Sequence, residues 1–281
     1  MQDKLKISHI DFLNEASFVD FSDFLKNESG IDLGKNKQYL VVTRLKKILA
    51  DQGVFSIQAL LDNKHLLHSH PIKECIIDAM TTNETLWFRD VYPYDYLKNI
   101  LLPNIKKMKK KLNIWSCACS SGQEPYSISM IFDEFNQSSN TQLDFNITAT
   151  DLSNNILNHA IKGEYDKLSV VRGLSTDRLN RYFYKNIDDK WEVKSSIKKN
   201  ITFKKINLKD NYFVECKYDV VFCRNVLIYF SRELKNKIIR NIHSNMNKGG
   251  YLFLGASESL ADTNDLFDLI YTNPGIIYRA K

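Results

Sequence analysis

Leu112-Asn113-Ile114-Trp115-Ser116-Cys117-Ala118-Cys119-Ser120-Ser121-Gly122-Gln123-Glu124-Pro125-Tyr126 is the stretch whose reading decides the fold. A short apolar run of strand length passes into small residues and one glycine, and Pro125 then marks the first turn of a helix. A strand that turns into a helix in this way lines the mouth of a sheet with backbone N–H groups, and small side chains let a ligand approach the main chain. A phosphate site of the G-x-G-x-x-G kind asks for more glycine than Gly122 alone. That weakens a dinucleotide reading and leaves a non-phosphorylated nucleoside open.

Downstream, apolar runs of strand length alternate with amphipathic stretches at 112–117, 126–135, 145–149, 156–161, 220–223 and 234–246. Strand and helix alternating at this spacing imply crossover units, hence a parallel sheet with helices on both faces. The runs 251–254 and 276–278, with Asn273-Pro274-Gly275 between them, read as late strands joined by a turn. Between 163 and 206 the alternation breaks. Trp191-Glu192-Val193 and Ile201-Thr202-Phe203 there read as short hairpin strands, so a small β insertion is expected around 164–206.

Upstream, residues 10–80 carry helical spacing: Phe18, Phe21 and Leu25, then Val41, Leu45 and Ile48. Ser69-His70-Pro71 ahead of Ile72, Ile76 and Ala79 reads as a capped helix start with proline in the first turn, ending near Thr81-Thr82-Asn83. The expected organisation is a helical domain over 1–80, a linker over 81–91 and an α/β domain over 92–281. Lys106-Lys107-Met108-Lys109-Lys110-Lys111 reads as a solvated helix end, where cations suit the negative dipole pole.

A chain of 281 residues fits roughly two domains at ~150 residues each. With 43% apolar and 12% aromatic residues it must collapse to a globule. No stretch approaches the roughly 18 to 20 apolar residues that cross a bilayer, and Met1 to Lys6 lead into no apolar signal segment, so a cytoplasmic protein is expected. Cysteines at 75, 117, 119, 216 and 223 form neither a disulfide ladder nor a Cys-x-x-Cys pair. His65, His68 and His70 lack a Cys or carboxylate partner and read as a polar loop, so no metal is expected. The net charge of +6 suits nucleic acid or an acidic protein surface equally.

Three further constellations carry chemistry. Asp151 closes the apolar strand 145–150, placed to accept the hydroxyl protons of a ribose; capping of the next helix, in competition with Ser153, is equally open from position. In Asp219-Val220-Val221-Phe222-Cys223-Arg224-Asn225-Val226-Leu227-Ile228-Tyr229-Phe230, a strand delivers Arg224, Asn225 and then Tyr229 to the carboxyl edge of the sheet. Surface or capping roles compete there. Asn83-Glu84-Thr85-Leu86-Trp87-Phe88-Arg89-Asp90 lies at the domain junction, where small-ligand clefts form, although Trp87 and Phe88 equally suit a packed linker.

These segments, in this order and after a basic helical domain, resemble the CheR family of chemotaxis receptor methyltransferases. The marks are N-E-T-x-F-F-R, met by Asn83 to Arg89 with Trp87 in an aromatic slot; S-T-G-E-E-P-Y-S, met by Ser120 to Ser127; A-T-D at Asp151; and C-R-N-V-L-I-Y-F at Cys223 to Phe230. Gln123 and Ser121 depart from the family's Glu and Thr, and no role is placed on Gln123. The resemblance implies a Rossmann-like, S-adenosylmethionine-dependent methyltransferase domain with a small β insertion, preceded by a small all-α domain. It implies methyl transfer to glutamates of chemoreceptors, with S-adenosylhomocysteine as product.

By the same resemblance, Asn83, Thr85 and Arg89 contact the methionine end or adenosine, Glu124 lies in the methionine pocket and Asp151 takes the ribose hydroxyls. Asn207-Leu208 and Arg224-Asn225 line the adenine and nearby cofactor surface, and Arg89 and Tyr229 orient the acceptor carboxylate. Some members grip a receptor tail peptide through a longer, glycine-containing hairpin; Tyr184-Lys185-Asn186-Ile187-Asp188-Asp189-Lys190 is short and glycine-free, which resembles the tail-independent type. Residues 33–47 contain five cations and no acid. On a helix, Lys37, Arg44 and Lys47 flank the stripe Val41, Leu45 and Ile48, either as a solvated face or, as the resemblance favours, docking onto the cytoplasmic helices of receptors.

The chemistry this implies is undemanding. A glutamate, with an ordinary pKa of roughly 4.3, is already ionised at neutral pH and needs no general base. Two alternatives belong beside this one. A nucleic-acid methyltransferase fits the basic balance, but the D/N-P-P-Y/F motif is absent, so no nucleic-acid partner is expected. A cofactor-binding adaptor without catalysis is the other.

Overall fold

The computed structural model describes residues 12–107, 111–139, 142–212, 216–260, 262 and 265–281. Positions 108–110 of the lysine run and the first eleven residues lie outside them. The chain divides into two compact units: residues through Thr82 together with Tyr229–Ser231, and Asn83–Ile228 together with Arg232–Lys281.

The first unit is helical. Helix α1 (Glu15–Ser29) starts in a capping box: Asn14 Oδ1 accepts from Ser17 N–H while Ser17 Oγ accepts from Asn14 N–H. It stops at Gly30, whose φ of 82° needs a residue without a Cβ. α2 (Gln38–Ala50), α3 (Ile57–Asp62), α4 (Lys64–Leu67) and α5 (His70–Met80) follow. Phe18, Phe21, Leu25, Val41, Leu45 and Ile76 meet in one apolar core. Pro71 sits in the first turn of α5, but the Ser69 hydroxyl donates to Leu66 O and does not cap.

The second unit opens with α6 (Tyr92–Tyr96), a π-helical turn (Leu97–Leu101) and α7 (Leu102–Ile105). The sheet contains β1 (Lys111–Cys117), β2 (Asp144–Asp151), β6 (Ile201–Lys205), β7 (Tyr218–Cys223), β8 (Met246–Leu254), β9 (Phe267–Tyr271) and β10 (Ile276–Ala280), ordered β6-β2-β1-β7-β8-β10-β9. Five strands run parallel, and β10 and β9 are antiparallel. Crossovers come through α8 (Gln123–Ser138), α9 (Asn154–Lys162) and, between β7 and β8, α13 (Arg232–Ser244). Strand β1 has β2 on one side and β7 on the other. Strand order reverses there, which opens a crevice at the carboxyl ends. The faces are sealed by stacked rings, Phe132 on Phe145 at 4.3 Å and Phe222 on Phe253 at 4.6 Å.

The insertion is a separate three-stranded antiparallel sheet of β3 (Glu164–Tyr165), β4 (Phe183–Lys185) and β5 (Trp191–Val193), ordered β3-β5-β4. Helices α10 (Lys167–Val171), α11 (Thr176–Tyr182) and α12 (Ser195–Lys198) surround it in sequence. Two expectations change. Ile201-Thr202-Phe203 is no hairpin strand but part of β6, pairing in parallel with Ile147, Thr148 and Ala149 of β2. An edge strand of a parallel sheet is half covered, so its alternation imitates a hairpin. The Asn273-Pro274-Gly275 turn joins β9 to β10 rather than the runs 251–254 and 276–278 directly. β9 hides from pattern reading because Phe267 is its one buried residue.

Candidate cofactor and methyl-transfer site

Three loops meet at the carboxyl edge of β1, β2 and β7. After β1 the backbone turns through Ala118 (φ 52°), Ser120 (φ 51°) and Gly122 (φ 94°). After β7, Asn225 adopts φ 58°, and in the segment 83–91 so do Phe88, Asp90 and Val91 at 51°, 66° and 52°. Positive φ at a non-glycine residue costs of order 1 to 3 kcal/mol and persists only where the surroundings enforce it. Six such residues in these loops mark a preorganised site.

Asp151, at the tip of β2 and buried, ties the turn after β1 to the loop after its own strand. Its Oδ2 accepts from Ser120 N–H at 2.9 Å and its Oδ1 from Ser153 N–H at 3.1 Å. The helix cap falls to Ser153, whose Oγ accepts from Ile156 N–H. Cys119 N–H donates to Thr150 O, Ser120 Oγ to Asn83 O at 2.9 Å, and Tyr165 Oη to Ser121 O at 2.6 Å. Gln123 receives the Ser121 hydroxyl.

Beside this turn lies a buried charge cluster. Arg224 donates through Nη1 to Glu124 at 3.1 Å and through Nη2 to Asp90 and to Arg89 O, both at 2.7 Å. Glu124 accepts from Ser116 Oγ at 2.8 Å with its other oxygen. Burial pushes the Glu124 carboxyl above the usual carboxylate range, with Arg224 and Ser116 pulling it back. Burial works against the Arg224 cation, but Tyr94, Glu124 and Asp90 outweigh it and hold the proton more firmly than usual.

The segment 83–91 is seated on the insertion and α8. Trp87 packs edge-on against Tyr165 and Phe183 at 4.9 and 5.2 Å, and Phe88 N–H donates to Ser127 Oγ. Gly173 is obligatory there, since a Cβ would come within 2.1 Å of Trp87 O. Thr85 and Arg89 are partly buried, and Arg89 Nη1 donates to Glu84 O. Asn207 follows β6, its Oδ1 accepting from Lys209 N–H, with Leu208 buried beside it. Tyr229, Lys37, Arg44 and Lys47 fall in the helical unit. Tyr229 O accepts from Asp32 N–H at 2.8 Å. Lys37 precedes α2 rather than lying in it, and Arg44 is tied up by α5.

Pattern reading missed Asp90 and Glu258. Asp90 stands next to Arg89 in the quoted motif. Glu258 follows Gly255 by three residues after β8, and no local pattern marks it, because its partners at 225 and 227 lie about thirty residues away in the chain.

The donor set fits an adenosine-bearing cofactor. Asn225 Oδ1 is buried without a hydrogen-bond partner in the protein, an acceptor left open to a ligand, and it lies at the sheet edge that carries Asp151 and the small-residue turn. Fold and site define the class: a Rossmann-like, S-adenosylmethionine-dependent methyltransferase domain with an all-α domain ahead of it. The pattern of the CheR methyltransferase, SAM binding domain matches residues 83–276, and that of the CheR methyltransferase, all-alpha domain matches 16–81. Chemotaxis protein methyltransferase Cher2 of Pseudomonas putida is 48% identical over 94% of this chain and 98% of its own. Chemotaxis protein methyltransferase 1 of Pseudomonas aeruginosa is 49% identical over 95% and 98%, and the Vibrio parahaemolyticus chemotaxis protein methyltransferase 44% over 96% and 98%. The chain belongs to the CheR methyltransferase family. Its cofactor is S-adenosylmethionine and its activity methyl transfer in chemotaxis, which leaves the non-catalytic adaptor without support. No helix among the described residues is long and apolar enough to cross a membrane.

Proposed function

We propose that this methyltransferase esterifies glutamate side chains on the cytoplasmic helical region of chemoreceptors, itself working in the cytoplasm. The observation that carries the reading is the ligand edge just described, with Asp151, the 118–122 turn and the orphaned Asn225 acceptor together, in a chain related along almost its whole length to chemotaxis methyltransferases.

When bound, S-adenosylmethionine supplies an electrophilic sulfonium methyl. Asp151 takes the ribose hydroxyls. Asn83, Thr85 and Arg89 hold the methionine end or adenosine, and Asn207-Leu208 and Arg224-Asn225 flank the adenine. Glu124, engaged on both oxygens, acts at the methionine end through its charge and through Arg224. The acceptor glutamate arrives ionised, so the protein's task is alignment and exclusion of water; well-oriented reactants account for ~7 to 11 kcal/mol of barrier. Arg89 orients the acceptor carboxylate, since a tight pair would blunt its attack. The Tyr229 hydroxyl holds one carboxylate oxygen and leaves the other to react.

Lys37 and Lys47, both exposed, are the docking cations. The turn between β4 and β5 is closed by Asn186, whose Oδ1 accepts from Asp188 and Lys190 N–H at 3.0 Å. This compact turn supports receptor recognition without a tail-peptide tether.

Calorimetry with S-adenosylhomocysteine should register binding to the wild type and at least about tenfold weaker binding to Asp151→Ala, a difference of ~1.4 kcal/mol. Equal affinity would remove the ribose assignment. Transfer to a receptor fragment should be base-labile, and a base-stable product would exclude the glutamate ester.

A further inference from the structure

The turn that carries Arg224 and Asn225 does not hold itself. Asn225 is left-handed at φ 58°, a conformation asparagine adopts more readily than most residues, and its Oδ1 is buried without a partner, which is the costly feature. The neighbour that enforces it is Glu258. Its Oε2 accepts from Asn225 N–H at 2.7 Å and from Gly255 N–H at 2.8 Å, while its Oε1 accepts from Leu227 N–H at 2.8 Å. Glu258 N–H in turn donates to Gly255 O at 2.9 Å, closing a tight turn after β8. One carboxylate thus gathers three main-chain donors from two loops, a concave arrangement of N–H dipoles around an anion. Gly255 completes the fit: a Cβ there would come within 2.7 Å of both Asn225 Nδ2 and Glu258 Oε2, so a side chain would push Asn225 out of place.

We propose that Glu258 is a positioning residue for the cofactor: by clamping the N–H groups of Asn225, Leu227 and Gly255 it holds the Asn225 amide oxygen open as an acceptor for S-adenosylmethionine. The proposal rests on the assignment of Asn225 to the cofactor surface. On this proposal Glu258, whose oxygens are taken up by main-chain N–H groups, acts through Asn225 and not by a contact of its own with cofactor or acceptor. Without the clamp, Asn225 relaxes toward an ordinary backbone conformation and its amide finds partners within the protein, so cofactor binding loses a preorganised group.

The test is calorimetry with S-adenosylhomocysteine on the wild type, Glu258→Ala and Glu258→Gln, alongside KM for S-adenosylmethionine and for a purified receptor cytoplasmic fragment. Glu258→Ala should weaken S-adenosylhomocysteine and raise KM for S-adenosylmethionine about tenfold or more, with a clearly smaller change in KM for the receptor fragment. Glu258→Gln keeps one acceptor oxygen and should show a smaller loss of the same kind. If Glu258→Ala fails to fold, Glu258→Gln decides by the same readout. Cofactor affinity within about twofold of the wild type in the folded variant, or equal losses for cofactor and receptor fragment, overturns the proposal. A wild type that binds no S-adenosylhomocysteine sinks the cofactor assignment and this proposal together, whereas wild-type binding with unaltered Glu258→Gln binding sinks this proposal alone.

Discussion

Arg224 makes the most consequential contacts of any single residue at the site. Its side chain is 2% exposed and is balanced by Glu124 and Asp90, so its removal strands two carboxylates, one of them deeply buried. Replacing the cation by an apolar side chain of similar length leaves that charge uncompensated, and breaking a buried pair from one side costs about 3 to 5 kcal/mol. Arg224→Met is therefore expected to lower unfolding free energy by about that amount, measured by urea denaturation. A loss under ~1 kcal/mol would mean that Glu124 takes up a proton when its partner leaves. As a strand-end arginine, Arg224 was visible in the bare pattern, but its partners 100 and 134 residues away were not.

At the scale of elements, the residues expected as one basic docking face separate. Arg44 Nη1 donates to Met80 O and Thr81 O at 3.0 Å and to Ala79 O at 3.4 Å, and Nη2 to Thr82 Oγ1. It thereby caps α5, where the last carbonyls lack intrahelical partners and the dipole is negative. Arg44→Ala should cost about 1 to 2 kcal/mol of stability, because hydrogen bonds to a charged group are each worth ~1.5 to 3 kcal/mol when buried and less at this half-exposed site. Lys37→Ala with Lys47→Ala should stay within about 0.5 kcal/mol of the wild type while weakening receptor binding at low salt. Thermal melts beside a binding titration check both, and a neutral Arg44→Ala would restore it to the docking face. Helical spacing puts these cations on one flank, but periodicity on α2 says nothing of where α5 ends.

For the molecule as a whole, the insertion is fastened to the Rossmann-like core by two adjacent acids of α8: Asp133, which accepts from Tyr182 Oη at 3.0 Å and pairs with Arg181, and the more buried Glu134. Glu134 on α8 accepts from Arg178 of α11 at 2.7 and 3.1 Å and from Lys98 at 2.6 Å. Burial alone would raise its pKa, but the hydrogen bonds from Arg178 and Lys98 hold it below its ordinary 4.5. Because the folded value is the lower, this contribution is fully present above about pH 4.5 and is lost as pH falls through the folded pKa. The melting temperature of the wild type should therefore drop below about pH 4.5 more steeply than that of Glu134→Gln, which starts lower at neutral pH. Parallel pH profiles would refute this.

The sequence by itself determined the all-α part ahead of an α/β part, the mostly parallel sheet and the small-residue turn after β1. Those are set by hydrophobic period, by small residues after β1 and by short ordered motifs, all local properties. Only the tertiary structure decided that 201–205 joins the main sheet, that Arg44 caps α5, that Asp151 holds Ser120 and that Glu258 clamps Asn225. Each of these is a pairing between segments far apart in the chain. Its energy depends on which donors and acceptors burial brings within 3 Å, and no local pattern encodes that.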